Sequence, residues 1–229
     1  TAAIAADEEL LPSEPAAAYS EVPGGVHHYD DEPAVAVAEP ARRGTVDLGL
    51  LILRVVVGLV FFFHGLQKLT TWSWLDGFGI DGFSAFLANN AAGADAALGF
   101  DPDVTRTLAI VAGISETVGG ALLVLGLLTP IAGSAVLGVI IVAMTYKATL
   151  AGGLWFFTGQ GNGGIEFEIV LAAAAVALIL CGPGTYSIDR QWGWSRRPAW
   201  GSAAWLIIAI AAAVAIWIVF NGANPLIAI

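Results

Sequence analysis

The sequence predicts an all-α membrane protein: a four-helix transmembrane bundle, a fifth C-terminal transmembrane helix and an extended acidic N-terminal tail. Three observations point there. Of 229 residues, 57% are hydrophobic and only 12% charged, too little charge to cover a soluble domain of this length. Residues 48–66, LGLLILRVVVGLVFFFHGL, form a nearly unbroken apolar run, close to the roughly 20 residues that cross a hydrocarbon core about 30 Å thick. Further apolar runs follow, separated by segments rich in glycine, proline and tryptophan.

The elements follow in order. Residues 1–43 are rich in Ala, Pro, Glu and Asp, with too little apolar area to fold alone; they are expected to lie in the cytoplasm and bind a partner. The first span is expected over Asp47–Leu66. A long loop to Asp103 opens with Trp72 and Trp74, residues that suit the headgroup level. Within it Phe83, Phe86 and Leu87 recur at helical spacing, as in a short amphipathic helix lying at the interface. The second span is expected over Thr107–Leu128. The Thr129-Pro130 step breaks the chain and opens the third, which runs to Leu150, since proline fits the first turn of a helix. After the loop GGLWFFTGQGNGG comes a short fourth span, Glu166–Leu180, ending at Gly182-Pro183-Gly184. A polar connection leads to the fifth, Ala203–Phe220. The organisation is thus a tail (1–43), a four-span bundle (44–190) and a linker with the last helix (191–229).

Net charge is −10, but the tail holds Asp7, Glu8, Glu9, Glu14, Glu21, Asp30, Asp31, Glu32 and Glu39. No basic surface for nucleic acid is evident. Cys181 is the only cysteine, so the chain has neither an internal disulfide nor a cysteine-based metal site. His27 and His28 with Asp30 and Asp31 are a low-specificity metal pattern, and no metal is assigned to them. The tail also lacks the basic start and apolar centre of a secretory signal peptide. Arg42 and Arg43 precede the first span, and Arg190, Arg196 and Arg197 lie between the fourth and fifth. Positive charge marks the cytoplasmic side, which puts the N-terminus inside and the C-terminus outside a bacterial plasma membrane.

Ionisable residues inside spans are the first functional candidates, because each costs about 2.5–3.5 kcal/mol if left alone at the bilayer centre. Arg54 and Glu116 both count to mid-depth in antiparallel spans, so an intramembrane Arg54–Glu116 pair is expected. His64 and Lys68 share the bundle-facing arc with Arg54 at 100° per residue. With Gln67, Trp72, Lys147, Glu166 and Glu168 they suggest a polar chamber near the outer surface, lidded by the Trp72/Trp74 loop and the Gly159–Gly164 loop, that holds a quinone or lipid. For Lys68, Arg106 and Lys147 the simpler expectation is that their long stems snorkel to water. A single membrane histidine argues against b-type haem, which takes two axial ligands. GQGNGG lacks the strand-then-helix context of a nucleotide loop.

The pattern LRVVVGLVFFFHGLQKL, GFSAFLAN, ETVGGALLVLGLLTP and GIEFEIVLAAAAVALILCGPGTYSID resembles the DoxX family over about residues 46–190. The family's R…HG…K first helix falls on Arg54, His64-Gly65 and Lys68. Its E…GG…GLLT second helix falls on Glu116, Gly119-Gly120 and Thr129. The ends of its fourth helix fall on Glu166 or Glu168 and on Gly182-Pro183-Gly184, Ser187 and Asp189. The tail and the fifth span depart from the pattern. The resemblance implies a four-span bundle associated with membrane redox systems, one relative being a subunit of a thiosulfate:quinone oxidoreductase. The expected role is an accessory subunit of a membrane oxidoreductase or respiratory complex, with no cofactor of its own and with the tail and fifth helix contacting other subunits and lipid. One alternative is a quinone-reactive catalytic subunit with His64 as the proton-transfer residue. A second, a small-solute transporter, is weakened by the lack of two matched broken helices.

Overall fold

A computed structural model describes residues 44–89, 98–157, 159, 163–192 and 200–224. The expectations placed on the tail, on Arg42, Arg43, Arg196 and Arg197, and on residues 158 and 160–162 of the glycine-rich loop lie outside these residues. The described chain is helical: α1 (Val46–Leu69), α2 (Gly79–Leu87), α3 (Pro102–Leu125), α4 (Thr129–Leu150), α5 (Glu166–Cys181) and α6 (Trp200–Phe220), with 3-10 turns at Ser73–Leu75 and Ile188–Gln191. Four of these, α1, α3, α4 and α6, are long and apolar enough to span a bilayer. At 16 residues, α5 rises only about 24 Å. Even so, it runs the length of the bundle. Glu168 meets Lys147 near the end of α4, while Ile179 packs on Gly133 near its start.

The helix ends follow local chemistry. α3 starts five residues before the expected Thr107, because Asp101 caps it by accepting the Asp103 N–H at 3.0 Å and Pro102 fills its first turn. It stops at Gly126, whose φ of +66° is the left-handed conformation that ends helices. Leu128, also at positive φ, precedes α4. α2 forms where the spacing of Phe83, Phe86 and Leu87 predicts it.

Packing is set by small residues, as expected where lipid is the solvent and close backbone approach drives association. α1 and α3 meet through glycine: a Cβ at Gly58 would lie 2.7 Å from the Gly120 carbonyl oxygen. Gly120→Val should therefore force these helices apart, at a cost of about 1–3 kcal/mol from overpacking. Heat- or detergent-induced unfolding of the purified chain would show it as a lowered midpoint. α4 is the central helix, in contact with α3, α5 and α6. The inner core comprises Phe61, Leu123, Val136, Leu137, Leu178 and Ile179. A second cluster joins α2, α3, α4 and α6 through Phe83, Phe100, Tyr146 and Trp217.

Candidate functional site

The polar residues inside the helices sort into two centres at opposite ends of the bundle. The expected Arg54–Glu116 pair does not form. The glycine contacts fix the reason. Gly58 lies against Gly120 and Val124, and Gly65 against Gly113 and Thr117. In this register Arg54 reaches the level of Gly126, while Glu116 lies level with His64. Ten positions on α1 separate those levels, about 15 Å.

Arg54 belongs to the first centre. Its guanidinium, 1% exposed, donates from Nη1 to the Pro183 carbonyl at 3.0 Å and from Nη2 to the Tyr186 carbonyl at 2.6 Å. A side chain at Gly126 would collide with it. Asp189, fully buried, accepts from the N–H groups of Leu128 and Thr129, both at 2.9 Å, and from the Thr129 hydroxyl at 3.0 Å. It thereby caps the N-terminus of α4, where unpaired donors and the helix dipole favour a carboxylate. Asp47 accepts the Thr185 N–H at 2.9 Å, and Ser187 donates to the Gly184 carbonyl at 2.7 Å. The segment after α5 thus ties the start of α1, the α3–α4 turn and the end of α5 into one brace. Every contact named here is made within the protein, which suits a bracing role.

The second centre lies at the other end, around a cavity of about 650 Å³. Aromatic side chains from α2 and the α3 approach, Phe78, Phe83, Phe86 and Phe100, form one wall. The polar groups enter from α1, α3, α4 and α5. Lys68 donates to Glu116 at 2.5 Å and to the His64 carbonyl at 3.3 Å, with its ammonium 5.2 Å from the centre of the Phe83 ring. Lys147 donates to both oxygens of Glu168, at 3.1 and 3.2 Å. His64 Nδ1 lies 2.8 Å from the Val60 carbonyl. A carbonyl only accepts, so Nδ1 is the donor, and whenever the ring is neutral Nε2 is an acceptor. Each lysine is thus matched by a carboxylate, and the cavity carries no net formal charge when His64 is neutral.

Of the residues expected in the chamber, His64, Gln67, Lys68, Lys147 and Glu168 line the cavity, joined by Glu116. Trp72 and Glu166 do not. Trp72 stacks on Trp74 at 5.9 Å between ring centres, both rings exposed, as suits indoles at a headgroup layer. The cover over the cavity is α2 rather than the Trp72/Trp74 loop. Tyr146 seats it: its hydroxyl donates to the Phe86 carbonyl at 2.7 Å, with the Leu87 carbonyl at 3.1 Å. Ser84 donates to Thr105 at 3.0 Å, and Arg106 pairs with Asp81 at the surface. Tyr146→Phe removes the cap on the α2 C-terminus. It should loosen α2 by about 0.5–1.5 kcal/mol, read as faster amide hydrogen exchange across residues 79–87 with the exchange of α1 unchanged.

Sequence reasoning missed Tyr146, Phe100 and the capping role of Asp189. A lone tyrosine beside Lys147 on an apolar helix was the available signal for the first. The Thr129-Pro130 helix start, whose free donors call for a carboxylate, was the signal for the last.

The DoxX family model matches residues 49–159. No curated protein and no solved structure matches the chain. The matched stretch runs through α1–α4, and so contains Arg54, His64, Lys68 and Glu116. By that match over residues 49–159 and its membrane-length helices, the chain is a membrane protein that carries a DoxX domain.

Proposed function

We propose that the chain is an accessory subunit of a membrane oxidoreductase in the bacterial plasma membrane, and that its cavity holds the head of a quinone. The supporting observation is the character of the cavity: aromatic, large enough for a ring system, and internally neutralised by the Lys68–Glu116 and Lys147–Glu168 pairs. A charged lipid head would find no uncompensated partner there, whereas a neutral ring gains apolar contact and hydrogen bonds at few polar points. When bound, a quinone supplies two-electron, two-proton chemistry; the electrons come from a redox centre on a partner subunit. His64 and Gln67 orient the ring by hydrogen bonding, and the Phe83 and Phe86 rings exclude water. The acidic tail and the exposed side of α6, with Ile207, Ile218 and Val219, contact the other subunits and the lipid. The cavity faces the extracytoplasmic side, because Arg190 lies at the opposite end.

A second reading is favoured by one feature of His64. With Nδ1 committed to Val60, Nε2 is set to exchange a proton with a quinone oxygen, which makes the subunit catalytic. Purification of the tagged chain in mild detergent, with mass spectrometry of co-purifying proteins and extracted quinones, tests the proposal. It predicts a redox-carrying subunit and bound quinone. A lone chain carrying only phospholipid would contradict it. His64→Ala separates the two readings: lost turnover in an assembled complex supports catalysis, and unchanged turnover supports the accessory role.

A further inference from the structure

One arm of the cavity is built differently from the rest. Between α4 and α6 it is lined by Gly138, Val139, Val142, Ala143 and Ile216, with no polar side chain among them. The apolar lining on α4 extends from Gly138 to Ala143, about 8 Å of helix, and Tyr146 and Lys147 follow it. The polar groups His64, Gln67, Lys68, Glu116 and Glu168 enter from α1, α3 and α5, and Tyr146 and Lys147 enter from the far end of α4. An amphiphile therefore sits with its head toward the polar groups of α1, α3, α5 and the end of α4, and its hydrocarbon along residues 138–143 of α4.

Two residues control the width of this arm. Gly138 leaves it open: a Cβ there would meet only the Ala209 carbonyl oxygen at 3.7 Å, an ordinary contact, so the packing of α4 on α6 does not require glycine. The arm is the consequence of its absent side chain. Ile216 faces it from α6, beyond the stretch that matches the family. The end of α6 is fixed in place, since Asp101 N–H donates to the Phe220 carbonyl at 2.8 Å, Asn221 donates to the Leu98 carbonyl at 3.0 Å, and Trp217 lies edge-on to Phe100.

We propose that the α4–α6 arm is the binding site for the hydrocarbon tail of the cavity's ligand, and that side-chain size at Gly138 and Ile216 sets which tails are accepted. This rests on the quinone reading above and assigns α6 a part in ligand selection beyond contact with partners.

The test compares a decyl-tailed benzoquinone with the same ring lacking its tail, titrated against the full chain in nanodiscs of one lipid composition. The ratio of the two Kd values, compared between variants, cancels partition of the tail into the bilayer. Gly138→Leu and Ile216→Trp should each reduce the preference for the tailed quinone by about tenfold, or 1.4 kcal/mol. Ile216→Ala should shift preference toward a bulkier branched tail, and this small truncation keeps the test open if a filling variant does not fold. An unchanged ratio in folded variants, with both quinones still bound, overturns the tail site and leaves the quinone reading standing. Wild-type protein that binds neither quinone overturns both.

Discussion

Asp189→Ala will unlock one end of the bundle, lowering stability by about 2–5 kcal/mol, since each buried donor left without its acceptor costs about 1–3 kcal/mol. The carboxylate is fully buried and holds three donors at the start of α4. Its removal leaves the Leu128 and Thr129 N–H groups without their acceptor in a region water does not reach. It also loosens the segment whose Pro183 and Tyr186 carbonyls accept from Arg54. Asp189→Asn keeps one acceptor oxygen and should cost about half as much. Because Arg54 and Asp189 brace the same turn, Arg54→Met combined with Asp189→Ala should destabilise by less than the sum of the two single changes. Thermal unfolding of the four proteins in one detergent provides the cycle. Strict additivity would mean that the two groups act independently.

The second large effect is at the other end. Lys68→Met strands the Glu116 carboxylate, which is 4% exposed, and should cost about 3–5 kcal/mol, the usual cost of breaking a buried ion pair from one side. Adding Glu116→Gln to Lys68→Met should recover most of that loss, since it removes the uncompensated charge. Glu116→Gln in an Arg54→Met background should recover nothing, because these two groups occupy different centres. That contrast is measurable as the coupling energy in two parallel cycles. Quinone affinity should fall with Lys68→Met as well, because Lys68 holds the Phe83 wall of the cavity through its ammonium as well as pairing with Glu116.

Much of the fold was legible in the sequence because lipid imposes a strong pattern. The run around Arg54 had to be a helix, since only a helix satisfies its own backbone in a bilayer. Thr129-Pro130 and Gly182-Pro183-Gly184 marked helix boundaries that local backbone chemistry enforces. The α2 helix was visible in the spacing of Phe83, Phe86 and Leu87. The composition of the chamber was also largely visible, because His64, Lys68, Lys147 and Glu168 all counted to the same end of their helices.

The pairing of charges was not legible. Depth along each span was counted from expected helix ends, and α3 begins earlier than its apolar run because Asp101 and Pro102 start it. Register between α1 and α3 depends on which glycines meet. Gly58 against Gly120, and Gly65 against Gly113, place Arg54 and Glu116 at different levels. A sequence with several glycines on each helix permits several registers, and each would match a different acid to Arg54. Asp189 escaped notice as a cap because 60 positions separate it from Thr129. Trp72 was drawn into the chamber by proximity along the chain, whereas its stacking on Trp74 faces it outward.

The most direct test of the cavity as the quinone site is photo-crosslinking. A benzoquinone carrying a photoreactive group on its ring, irradiated with the full chain in nanodiscs, should label residues 64–68 on α1, 83–87 on α2 and 112–116 on α3. Excess unlabelled quinone should suppress that labelling. Adducts confined to the outward faces of α1, α3 and α6, undiminished by competitor, would contradict the account.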